Sequence, residues 1–289
     1  PATAEVIRIE ITSREPFGDA VASKIGPYER LRGRVVYALD PTDEANGRIV
    51  DLGLAITGDD GRVQFYGDLE IIVPVDRAQA QPTVLYVVNN RGRPTWGSEP
   101  FFLSRGYVTV SSGWLAQVPV SRDLLRLEAP VAFDPDDGIP VVGLVRAELQ
   151  TDVATDRLAI SNQLTYEPVI ASLDDATLTR RLREADPSVA IARDQWRLGT
   201  RYDGLDEGSG LVELEMMLTG GFEPGVIYEL IYEARGSVVQ GTGFAGMRDL
   251  VSFLKYDRSE MNPLRRPDGT SLAERVIGEG RSQSGRAIR

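Results

Sequence analysis

Apolar residues along the first third of this chain fall in short runs at the two-residue period of a strand. "YERLRGRVVYALDP" reads as one strand. "IVDLGLAITGDDGRVQFYGDLEIIVPVD" reads as two strands around a turn at "GDDG", where glycine and aspartate supply the unusual backbone angles. "PTVLYVVNNRGRP" is a solid apolar run that stops on polar, Gly and Pro residues, as a strand covered on both faces does. "SEPFFLSRG" predicts a short helix and "GYVTVSSGW" a second buried strand. Residues 83–114 thus predict a strand–helix–strand unit, the building block of parallel sheets.

The pattern changes over residues 121–220. Short alternating runs such as "VVGLVRAELQ", "DRLAISNQ", "QWRLGTR" and "LVELEMMLTGG" are separated by Asp, Gly and Pro clusters, which predicts a β-rich insertion. "DDATLTRRLREAD" fits a short helix or a polar strand. Beyond it, "VIYELIYEAR" alternates as a strand. "GFAGMRDLVSFLKYD" carries Leu250, Phe253 and Leu254 at helical spacing. A Pro/Gly-rich loop then leads to "LAERVIGEG", a last strand. The organisation read from this is residues 1–120 as one half of a central sheet, 121–220 as the β-rich insertion, and 221–289 as the return to the central sheet.

Composition narrows the chemistry. The 289 residues carry 32 basic and 43 acidic side chains, a net charge of −11, which disfavours nucleic acid as a partner because phosphates need a basic face. No run approaches the ~20 apolar residues of a membrane span. There is no cysteine and no histidine, so disulfides and thiolate metal sites are excluded and a zinc site would rest on carboxylates alone. No metal or other cofactor is expected. A chain without cysteine fits a secreted, periplasmic or cytoplasmic setting equally.

The last strand runs into "GEGRSQSGR". A nucleophile elbow needs a strand, a tight turn and a helix, with the nucleophile on strained backbone and small residues two positions to either side, where the chain doubles back. Around Ser282 those neighbours are Gly280 and Ser284; around Ser284 they are Ser282 and the bulky Arg286. Ser282 is therefore the candidate nucleophile, and the amide of Gln283 the first candidate oxyanion donor. The plain alternative is a polar Gly/Ser loop.

"GRSQSGR" after a buried strand resembles the α/β-hydrolase superfamily, and in detail is similar to the elbows of tannase/feruloyl-esterase and glucuronoyl-esterase enzymes. "YERLRGRVVYALDP", "YVVNNRGRP", "GYVTVSSGW", "FEPGVIYELIYEARG", "GTGFAGMRDLVSFL" and "GRSQSGR" together resemble a bacterial family of largely uncharacterised α/β-hydrolase-domain proteins. The resemblance implies an α/β-hydrolase-type, mostly parallel sheet and an ester-cleaving serine hydrolase acting on a small-molecule or polymer ester. It implies a second oxyanion donor in the loop after the third strand, which maps onto the amides of Asn90, Arg91 or Gly92, or else onto an ordinary polar turn. It also implies a triad in the order serine, acid, histidine. Since no histidine is present, the chain is expected to be the N-terminal part of a longer protein, with acid and base beyond Arg289. The alternatives are a catalytically inactive hydrolase-fold protein and a β-rich module that binds carbohydrate or polyester.

Two further features are weighed against packing. Trp114 either lines an acyl pocket or packs under the β insertion. "GTGFAG", with Gly241, Gly243 and Gly246, spells the dinucleotide fingerprint but lacks a following strand with an acid to hold a ribose. Its glycines are expected to let a helix start close to a sheet.

Overall fold

Leu31, Val35, Tyr37 and Leu39 put a continuous apolar surface on the strand that carries them, and all four are buried. That strand belongs to the first of two compact units in a computed structural model, which describes residues 5–18, 25–94, 100–121, 123–161, 163–200 and 211–289. One unit takes in Pro1–Pro130 and Val239–Arg289; the other is Val131–Val238.

The first unit opens with strands β1 (Val6–Phe17), β2 (Tyr28–Leu39), β3 (Val63–Pro74), β4 (Thr83–Val87), β5 (Val108–Ser112) and β6 (Leu127–Glu128). Helix α1 (Pro100–Leu103) lies between β4 and β5. The second unit contributes β7 (Val142–Leu149), β8 (Thr155–Ala159), β9 (Thr165–Pro168), β10 (Thr177–Arg181), β11 (Val189–Ile191), β12 (Trp196–Thr200), β13 (Leu211–Val212), β14 (Leu214–Phe222) and β15 (Ile227–Arg235). The chain then returns to the first unit with α2 (Thr242–Tyr256), β16 (Arg275–Glu279) and α3 (Gln283–Ala287).

The sheet of the first unit has the order β1-β2-β3-β5-β4-β16, with β6 also on β3. Its β1/β2, β2/β3, β3/β5 and β3/β6 pairs are antiparallel; β4/β5 and β4/β16 are parallel. This corrects the expected fold class. The chain is β-rich, with 43% strand and 16% helix, and its sheets are mixed and antiparallel rather than a mostly parallel α/β-hydrolase sheet. The predicted unit over 83–114 does form a parallel pair, but β2 and β3 are long antiparallel neighbours, paired from Tyr28 against Pro74 to Leu39 against Val63. An apolar run buried on both faces has the same pattern in either direction, so the sequence could not tell the two apart. Upstream of "GDDG", residues 52–54 form a 3-10 turn instead of the expected strand.

α2 packs on this sheet as its spacing predicts, burying Leu250, Phe253 and Leu254. Burial of one such side chain contributes about 1.5–3 kcal/mol. The glycines of "GTGFAG" serve this packing. A Cβ on Gly243 would overlap the Trp114 carbonyl, and one on Gly246 would lie 3.3 Å from the Tyr37 ring. Tyr37 itself stacks on Phe65 with ring centroids 4.8 Å apart.

The second unit is antiparallel throughout its described pairs. One sheet has the order β11-β10-β15-β9-β13 with β7 also on β15; the other is β12-β14-β8. β15 alternates as its sequence requires, burying Tyr228, Leu230, Tyr232 and Ala234. Those residues join Trp196, Met216 and Phe222 in the core of the unit. The ambiguous "DDATLTRRLREAD" segment resolves into a 3-10 turn over Ile170–Asp175 followed by strand β10.

Candidate active site

Two parallel strands of the first sheet end together. β4 and β16 run in register from Thr83 against Arg275 to Val87 against Glu279. Just beyond, the Val88 N–H donates to the Glu279 carbonyl at 2.8 Å. Their exits, residues 89–93 and 280–283, therefore emerge side by side at the carboxyl end of the parallel strands, the usual location of ligand sites in sheets with parallel strands. Asn90 ties the two exits together by donating through Nδ2 to the Arg281 carbonyl at 3.2 Å.

Ser282 stands where β16 gives way to α3. Its backbone has φ 56° and ψ −116°, a conformation that an L-residue adopts only under strain of about 1–3 kcal/mol. The turn is tight enough to dictate its neighbours. A Cβ on Gly280 would lie 2.6 Å from the carbonyl carbon and oxygen of Ser284, and one on Gly285 would lie 2.9 Å from the Gly280 carbonyl oxygen. The Ser282 side chain is exposed, and its hydroxyl makes no hydrogen bond among the described residues.

Ser284 is the opposite case. It is 1% exposed. Its hydroxyl accepts from the Arg281 N–H at 2.9 Å and donates to the Arg281 carbonyl at 3.0 Å. It staples the turn and has no free proton-accepting or nucleophilic role. The two serines thus separate by geometry into one that is offered to solvent and one that holds the loop.

The candidate oxyanion donors also separate. The Gln283 amide is in the first turn of α3 and has no backbone acceptor among the described residues. The Gly92 amide is already bonded to Asn89 Oδ1 at 3.0 Å, and the Asn90 amide to the Arg93 carbonyl at 3.1 Å. Neither is free, which removes two of the three positions proposed in the 90–92 loop. The Arg91 amide has no hydrogen bond among the described residues, and Arg91 holds a left-handed φ of 51°. The Oε1 of Gln283 is buried without a partner, which costs about 1–3 kcal/mol until a donor reaches it.

Asn89 was not singled out from sequence, yet it builds the loop. It is fully buried. Besides holding the Gly92 amide, its Nδ2 donates to the Ser112 carbonyl at 2.6 Å. Its own carbonyl accepts from the Trp114 indole N–H at 2.8 Å. An Asn at a strand end before an R-G pair is an Asx-turn signal, and that signal was present in "NNRG". Trp114 is buried, and its ring meets Phe244 of α2 edge-on at 5.9 Å.

No imidazole is available to the site from this chain, which contains no histidine. Tyr86, paired with Gly278 across the β4/β16 register, is buried, and burial pushes its phenol far above the ordinary range, so it stays neutral. No group of three or more acidic side chains that could hold a metal occurs among the described residues. No described helix is long and apolar enough to cross a membrane. Comparison with protein families, curated proteins and solved structures finds no match to this chain.

Proposed function

We propose that this chain carries the nucleophile and part of the oxyanion hole of a carboxylic ester hydrolase. The observation that carries the reading is the strained, exposed Ser282 between a parallel strand and a helix. Backbone held in a disfavoured conformation persists only where the surroundings over-determine it, as the Gly280–Ser284 approach does here.

In this reading Ser282 Oγ attacks the ester carbonyl carbon, and its proton passes to a base. The carbonyl π electrons move onto oxygen, where the amides of Gln283 and Arg91 receive them. The oxyanion collapses, the alcohol leaves with the proton, and water later cleaves the acyl-serine. Losing one such amide donor typically costs about 3–4 kcal/mol of barrier. An imidazole base has to come from polypeptide other than these 289 residues, because they contain no histidine.

The test is a fluorophosphonate followed by peptide mapping. Without a histidine the reaction is slow, and the label is expected on Ser282, with none on Ser284 and none in Ser282→Ala. Labelling spread over other serines, or unchanged in Ser282→Ala, would refute the assignment. An inactive binding protein is the second reading, favoured by the absence of histidine. A carbohydrate-binding version of it finds little support in the second unit, whose Trp196, Phe222, Tyr228 and Tyr232 are in the core rather than on a stacking surface.

A further inference from the structure

We infer that the ester taken at Ser282 carries a negative charge, a carboxylate or a phosphate-type group, on the part that remains outside the reacting carbonyl. The inference rests on the serine reading above and adds the substrate class. It comes from where this acidic chain concentrates positive charge.

The chain as a whole has a net charge of −11. The two segments that meet at the carboxyl ends of β4 and β16 have the opposite sign. Residues 89–94 contain Arg91 and Arg93 and no acid; residues 280–289 contain Arg281, Arg286 and Arg289 and no acid. The Asn90–Arg281 hydrogen bond holds the two segments together. The arginines are also exposed, so their charge faces solvent at the mouth of the site.

Some other arginines of the same unit are neutralised by acids. Arg32 pairs with Glu70 at 3.0 Å, Arg248 with Asp249 at 2.8 Å, and Arg266 with Glu274 at 3.1 Å. Arg91, Arg93 and Arg286 form no ion pair with any described residue. Among the described residues two acids flank the region: Glu279 at the end of β16, and Asp123 beside the Leu124 that borders Gly92. Among the described residues, Arg91, Arg93 and Arg286 still outnumber these two acids.

Guanidinium groups on adjoining segments without carboxylate partners repel one another, and an anionic ligand relieves that repulsion. Guanidinium forks match carboxylate and phosphate oxygens in geometry as well as charge. A locally positive mouth on an acidic protein also raises the local concentration of anionic substrate.

Binding, measured by calorimetry on the Ser282→Ala chain so that turnover cannot interfere, tests the charge independently of the serine. The probes are phenyl butyrate, monophenyl succinate and phenyl phosphonoacetate. At low salt at least one charged ester is expected to bind about tenfold tighter than the neutral one, and the tighter of the two names the anion. The advantage should shrink in high salt, vanish in a further Arg91→Gln/Arg286→Gln variant, and survive in Arg91→Lys/Arg286→Lys. Equal affinity for charged and neutral esters, no binding of either charged ester, or a preference untouched by the glutamine pair would overturn the inference. Failure of the serine reading shows instead as misplaced phosphonate label, in a separate experiment.

Discussion

Gly280 and Ser284 are in backbone contact across the turn: a Cβ on the glycine would stand 2.6 Å from the serine's carbonyl carbon. The obstacle is main chain on both sides, so no rotamer can relieve it. Gly280→Ala is expected to lose about 1–3 kcal/mol of stability, the scale of overpacking, or to open the turn. Chemical denaturation reads the first outcome and loss of phosphonate labelling at Ser282 reads the second. An alanine variant that keeps both stability and labelling would mean that the turn is not as tight as described.

The two serines should respond in opposite ways. Ser284→Ala removes both hydrogen bonds to the Arg281 backbone and leaves its N–H without an acceptor, which costs about 1–3 kcal/mol. Ser282→Gly relieves a left-handed side-chain-bearing residue and is expected to raise stability by about 1 kcal/mol. Thermal melts of the two variants beside the parent chain decide the matter. If Ser282→Gly is the more destabilised of the pair, the strain assigned to Ser282 is absent.

Glu5 makes stability depend on pH. Its carboxyl titrates above the ordinary value, first because of burial and then because of the Asp249 charge, with an Asn46 hydrogen bond offsetting part of the rise. A carboxyl whose folded pKa exceeds its unfolded value binds its proton more tightly when folded. Its stabilising contribution is complete below the unfolded value and disappears as pH rises through the folded one. Glu5→Gln keeps an acceptor for Asn46 without the charge. It should raise the melting temperature near neutral pH, and the gain should fade toward about pH 4, near the unfolded value. A gain that grows on acidification would reverse the sign and exclude this origin.

β16 pairs with β4 and with no other described strand. The side of β16 away from β4 has no strand partner among the described residues, and with Ile277 54% exposed it forms an adhesive edge. The chain is expected to self-associate at micromolar concentration, and Ile277→Lys to reduce this by charging the edge. Light scattering of the two proteins provides the comparison. A monodisperse parent chain would show that the edge is harmless.

The turn at Ser282 was legible because a tight turn imposes local demands. Gly280 and Ser284, two positions either side of Ser282, are small as a strand-to-helix reversal requires, and no distant residue is needed to see it. The spacing of "GTGFAG" likewise points to helix packing rather than nucleotide binding, and the overlap that a Cβ on Gly243 would make with the Trp114 carbonyl is the physical content of that spacing. The oxyanion loop was legible only as a segment. Which of its amides are free depends on Asn89, whose side chain reaches back to Gly92 and across to Ser112, on a neighbouring strand.

By itself the amino-acid order determined the alternation of the strands, the amphipathic α2, the reversal at Ser282, and the absence of any imidazole or thiol. Each of these follows from residue type and short-range spacing. Tertiary structure decided that β2 and β3 run antiparallel where a mostly parallel sheet was expected, that β4 and β16 end side by side, and that of the 90–92 amides only that of Arg91 has no acceptor among the described residues. Apolar periodicity records which face of a strand is buried. The direction of the neighbouring strand and the partner of each amide depend on segments far apart in the chain, 191 residues in the bond from Asn90 to Arg281, and only folding brings those together.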